Sequence, residues 1–197
     1  MTNIYNAEIS AGSLMPLESR RIAAFLITQP NESVWRRALV EDNLLQKRSP
    51  ATALRQAKLI RKRLETLDAT AWAMIATREQ EVSIQLLLVA AVKHSQLLAD
   101  FIEHVYIDHQ RRLDLAILPG NWDGFLTECS HKDSSVNQWS ASTQIKLFQV
   151  IIRILAEAKY IESTRNMKLT PQSLHPEVKR YLSTSGNTYV MSLLERA

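Results

Sequence analysis

Between Arg55 and Arg63 the chain reads RQAKLIRKR, five cationic side chains in nine residues with no acid among them. The chemistry such a run supports is charge neutralisation, because lysine and arginine contact phosphate oxygens and release the counterions condensed on a nucleic acid. Arg36, Arg37, Lys47 and Arg48 lie just upstream. Residues 36–63 therefore hold nine basic side chains against two acids, Glu41 and Asp42, a net of +7. The remainder holds fifteen basic and eighteen acidic side chains, a net of −3, so the overall +4 describes a polarised molecule. A face kept only for solubility mixes its signs. The alternative reading of the run is a solvated helix face.

Other residue constellations point to less chemistry. Asp100, His104 and Asp108 stand at i, i+4 and i+8, a stripe that could supply two or three metal ligands. It borders the apolar arc of Leu98, Phe101 and Val105, where hydrogen bonds within the helix satisfy such groups, and His94 falls inside that arc as a core histidine. No HExxH, Walker loop or nucleophile elbow is present, and four glycines are too few for a phosphate-cradling loop. The lone Cys129 has no disulfide or zinc partner, which fits a reducing compartment. No enzymatic activity, cofactor or metal is expected. Trp35 precedes Arg36 and Arg37 and could stack on a base, but its spacing with Ala38 and Leu39 assigns it to the core. Lys179 and Arg180 are either a second basic contact or a helix end.

The elements that carry these residues are helices, since apolar residues recur at spacings of three and four. Pro16 opens a first helix reaching about Gln29, and Asn31 or Ser33 caps a second toward Leu45. Ser49-Pro50 opens a third, to about Leu67. On a wheel of that third helix Leu54, Ala57, Ile60, Leu64 and Leu67 share one arc, while Arg55, Lys58 and Lys62 cluster on the opposite side with Arg61 and Arg63 flanking them. Arg61 has an obvious local partner, Glu65 at i+4. Three helices, the last beginning with Thr52, Arg55 and Gln56 in its first turns, resemble a helix-turn-helix.

Asp68 caps the next helix, and apolar helices continue to about Arg112 with breaks near 78–80 and 93–95. Leu118-Pro119-Gly120-Asn121 is the strongest internal break. A short helix around 122–129, a polar stretch over 130–138 and an amphipathic helix over about 142–160 follow. Residues 160–162 against 167–169 form a hairpin or a plain loop, and short helices near 176–182 and 189–196 close the chain. The most apolar run, Val82 to Val92, has eleven residues and would span about 16 Å as a helix, half of a ~30 Å hydrocarbon core. It reads as a buried helix, and MTNIYNAEISAGS lacks the basic and apolar regions of a signal peptide.

The stretches IYNAEISAGSLMPLESRRIAAFLI (Ile4 to Ile27) and LLQKRSPATALRQAKLIRKRLETL (Leu44 to Leu67) resemble the BrxA family, the small A component of BREX (bacteriophage exclusion) systems. The resemblance implies an all-helical cytoplasmic phage-defence protein without assigned enzymatic chemistry, bound to DNA, with a fold similar to the RNA-binding antitermination protein NusB. The family has also carried an inner-membrane label, which the length of the Val82 to Val92 run opposes. Independently of the resemblance, Tyr5, Ile9, Leu14 and Met15 suit an N-terminal arm packed onto the body, with Ser10 and Ser13 as caps and Gly12 permitting a turn. Arg20 and Arg21 either extend the basic face or pair with Glu18 and other acids.

The expected fold is all-α, a compact bundle of about eight to ten helices, with the one short hairpin near 160–170 as an option. One domain, 1–197, is expected, with a basic three-helix part over 1–67 and a core and C-terminal part over 68–197. The expected function is non-enzymatic binding of double-stranded DNA through Arg36, Arg37, Lys47, Arg48, Thr52, Arg55, Gln56, Lys58, Arg61, Lys62 and Arg63. Other BREX proteins are expected partners and no membrane is expected to be; the chain is read as a monomer. RNA binding in the NusB manner, or a protein adaptor inside the defence complex, is the alternative.

Overall fold

Pro16 and Pro50 sit where a missing N–H costs nothing, in the first turn of a helix. Asn31, Ser49 and Asp68 close helix starts with side-chain oxygens, accepting from the amides of Val34, Thr52 and Ala71 at 3.0, 3.4 and 3.0 Å. These signals delimit α1 (Pro16–Ile27), α2 (Glu32–Val40), α3 (Pro50–Leu64), α4 (Ala69–Thr77) and α5 (Gln80–His94). They belong to a computed structural model that describes residues 3–197.

These five helices make up one of two compact units, Leu14–His94. Its axis is α5, in which every residue from Val82 to Val92 is buried while α1, α3 and α4 pack around it. A helix apolar on all sides belongs in a core, and among the described residues no single helix is long and apolar enough to cross a membrane. The helix α2 stops at Val40, short of the expected Leu45. Asn43 takes a positive φ of 47° and its side chain accepts the Lys47 amide at 2.9 Å, so Leu45 reaches the core from a loop. The basic helices α2 and α3 thus share their unit with two apolar neighbours, α4 and α5, that lie beyond residue 67.

The second unit combines the segment ending at Ser13 with Ser95–Ala197. It contains α6 (Gln96–Phe101), a π turn over Ile102–Tyr106, α7 (Ile107–Arg111), α8 (Pro119–Lys132), α9 (Ala141–Glu157), α10 (Pro176–Thr184) and α11 (Thr188–Arg196). Short 3-10 turns cover Glu8–Ala11 and Ser134–Gln138. Phe101, Trp122, Phe125 and Phe148 form an aromatic cluster with centroid spacings of 5.2 to 5.9 Å. Tyr106 meets Tyr160 edge-on at 5.5 Å and donates its hydroxyl to the Tyr160 carbonyl at 2.7 Å.

The N-terminal arm packs as expected, with Tyr5 and Ile9 buried in this unit. Asp133 accepts the Tyr5 amide at 3.0 Å, Asp100 accepts the Tyr5 hydroxyl at 2.6 Å, and Ser13 donates to Glu157 at 2.7 Å. Gly12 is not the turn: its φ of 173° is extended backbone open to any residue. Met15, at φ 50°, makes the left-handed step into α1.

No strand occurs among the described residues, yet 160–170 folds back on itself. Ile161 bridges Leu169, with Glu162 N–H to Lys168 C=O and Thr170 N–H to Tyr160 C=O both at 2.9 Å. Ala116 adds a third rung by bridging Lys168.

Candidate nucleic-acid interface

The connection between α2 and α3 runs over residues 41–49, far longer than the three or four residues of a helix-turn-helix. The two helices pack directly, but their geometry is that of a helix pair across a loop. The basic residues are distributed along that pair.

Arg36 and Arg37 are exposed on α2, Arg48 is exposed in the loop, and Arg55, Lys58 and Lys62 are exposed on α3. These six point to solvent. Thr52 and Gln56 are half-buried. Lys47, also half-buried, pairs with Glu18 at 2.5 Å. Burial pushes the Glu18 carboxyl up, but the hydrogen bond from Lys47, its own amide and the charges of Lys47 and Arg21 bring it below the ordinary carboxylate value.

Arg61 donates to Glu65 at 2.7 Å and to Glu32 at 3.4 Å, and its guanidinium lies 4.7 Å over the Trp35 ring. Arg63 does not belong to an exposed face, being only 4% accessible. One turn of α3 thus alternates between solvent, at Lys62, and the core, at Arg63. Such burial depends on what α1, α4 and α5 place around the helix, which a wheel of α3 alone does not contain.

Arg36, Lys58, Arg61 and Lys62 converge on a groove of about 420 Å³ between α2 and α3, with Trp35 and Leu54 at its walls and Glu32 and Glu65 at its rim. Arg37, Arg48 and Arg55 stand apart from it. Trp35 is no stacking platform, because Phe25 stacks on it at 5.8 Å and Arg61 lies over its ring. Arg20 is turned to backbone carbonyls, while Arg21 acts on Glu18 through its charge, as one of the two expectations had it. Arg20 donates to the carbonyls of Ala76 and Arg78 at 3.0 Å, holding the end of α4, and Arg21 donates to Gln46 at 2.9 Å.

The stripe Asp100, His104, Asp108 is interrupted by the π turn, which breaks the 3.6-residue period on which its alignment was counted. Asp100 is spent on Tyr5 and Gln96, each at 2.6 Å. Among the described residues no group of three His, Cys, Asp or Glu side chains is placed to hold a metal ion. Burial pushes the Cys129 thiol up to about 11, the Tyr5 hydrogen bond opposing and the Asp100 charge adding to it, the reverse of what a nucleophile requires. A second groove, about 560 Å³, lies between the π turn and α8, with His104, Asp108, Glu128 and Lys132 on its sides and Gly120 and Gly124 leaving it open. Two glycines four apart on one helix were the sequence signal for it.

A sequence model of the BrxA family matches residues 3–186. The BREX protein BrxA of Paramagnetospirillum magneticum is 38% identical over 191 residues, covering 97% of this chain and 96% of the relative. That of Escherichia coli O9:H4 strain HS is 37% identical over 189 residues, covering 95% and 88%. A crystal structure of an uncharacterized protein from Magnetospirillum magneticum shares the fold with a TM-score of 0.91 at 35% identity, over 98% of this chain and 100% of the other.

Proposed function

Because the chain belongs to the BrxA family and is thus a phage-defence component of the BREX system, we propose that it serves that system by binding double-stranded DNA without catalysis. The observation that carries this reading is the concentration of Arg36, Arg37, Arg48, Arg55, Lys58 and Lys62 at the surface of one helix pair and its loop. Like charges this close repel one another, and a polyanion relieves the repulsion. Contacts of this kind go to phosphate oxygens and position a protein on the duplex without reading its sequence. Arg55, one turn into α3, is the side chain best suited to reach a base edge. Work on the DNA itself then falls to partner proteins.

Fluorescence anisotropy of a labelled duplex tests the reading, beside a triple Arg55→Glu, Lys58→Glu, Lys62→Glu variant whose far-UV circular dichroism matches the wild type. Binding by the wild type that weakens steeply with salt, and its loss in the variant, is the expected result. Equal binding by both would remove α3 from the interface. Preferential displacement by an RNA hairpin over the same length of duplex DNA would make RNA the ligand, and no binding by either protein would leave the adaptor reading.

A further inference from the structure

The α7 helix ends in an arrangement that sets three leucines in water. Leu113 donates its amide to Gln110 and Asp114 donates to His109, at 3.0 and 2.9 Å, the paired bonds of a Schellman stop. That stop calls for glycine at the left-handed position and for an apolar contact across the turn. Here Leu113 occupies the left-handed position, at φ 60°, with its side chain 86% exposed. Where the apolar contact belongs, Asp114 meets His109 Nδ1 at 2.7 Å. Leu115 and Leu118 follow at 78% and 62% exposure. The chain therefore bears backbone strain at Leu113 and gains no burial from it, a combination expected where another molecule supplies the burial.

The surroundings select the chemistry of that molecule. Arg111 and Arg112 are exposed and share a single acid, Asp108, at 3.9 and 3.8 Å. Lys168, exposed, lies opposite Ala116 across the bridge. The second acid, Asp114, is engaged by His109. The leucines thus sit in a positive rim. Three exposed leucines inside a positive rim match apolar pockets set among acidic side chains on a protein surface.

We propose that the turn from Arg111 to Leu118 is the docking site for a partner protein that presents apolar pockets or side chains among acidic residues. Hydrophobic anchors inside a charged rim are the usual anatomy of such a contact. The turn belongs to the other unit from α3, and the proposal does not depend on DNA binding.

The test uses the tagged full-length chain co-expressed with the other proteins of its BREX system, captured after nuclease treatment so that DNA bridges are removed. One co-encoded protein retained in near-equal amount by the wild type is expected. Leu113→Ser with Leu115→Ser should cut its retention by at least roughly tenfold, and Arg111→Glu with Arg112→Glu should cut it more at low salt than at high. All these side chains are exposed, so thermal melts of the variants should overlay the wild type. Equal retention by wild type and leucine variant overturns the proposal, as does retention of none of the system's proteins. Self-association abolished by the leucine variant would make a second copy the occupant, and loss of duplex DNA binding with partner retention intact would make it DNA; either overturns the proposal as stated.

Discussion

Single residues divide the basic stretch into two jobs. Arg63 is buried and Arg55 is not, so Arg63→Ala should lower stability by about 1 to 3 kcal/mol through lost packing and unpaired groups while leaving duplex affinity nearly unchanged once the fold is intact. Arg55→Ala should do the reverse, and urea titrations beside anisotropy separate the two. Glu18 gives a pH signature. Its carboxyl is held below the ordinary value in the folded chain, so its stabilising contribution is present above the unfolded value of about 4.3 and is lost as pH falls through the folded one. Glu18→Gln should flatten the stability profile below about pH 4.5; an unchanged slope there would show that the Lys47 contact contributes nothing in solution.

At the scale of elements, the end of α7 is the most informative. Leu113→Gly should relieve the left-handed strain and raise stability by about 1 kcal/mol, visible as a melting temperature a few degrees higher, while weakening partner retention. A variant that melts lower would mean that the Leu113 side chain packs within this chain after all. Helix starts were legible in the sequence because caps are local: Asn31, Ser49 and Asp68 each sit beside the amides they satisfy. The breaks before α5 and after it were legible for the same reason. The short α2, the π turn and the burial of Arg63 were not. The end of α2 is a local turn at Asn43 whose signal went unread, whereas the burial of Arg63 is decided by what packs around α3, and a helical wheel represents one helix alone. The arm was read correctly from its apolar spacing, but its partners were not.

The whole molecule is electrically divided, with +7 on residues 36–63 and −3 elsewhere. Six exposed cations on the positive part set the expected salt response: if each neutralises one phosphate, log affinity falls against log salt with a slope of about −5. Between 50 and 200 mM salt that is a loss of about a thousandfold. A slope near zero would end the electrostatic reading however tightly the protein bound. The fold also explains why the candidate interface could be read from composition while the docking turn could not. The basic run is dense in one helix, whereas the three leucines differ from core leucines only in what fails to cover them.

The interleaving of the two units has a consequence for synthesis. Tyr5, Ile9 and Ser13 leave the ribosome well before their partners, and the Ser13–Glu157 bond joins residues 144 positions apart. At ordinary translation rates that interval is roughly 7 to 30 s. Once His94 has been made the Leu14–His94 unit is complete, while the arm still waits with its apolar side chains uncovered. A nascent chain paused before α9 is therefore a natural client for chaperones, and slowing translation of residues 95–157 should expose the arm for longer without disturbing the basic helices already folded.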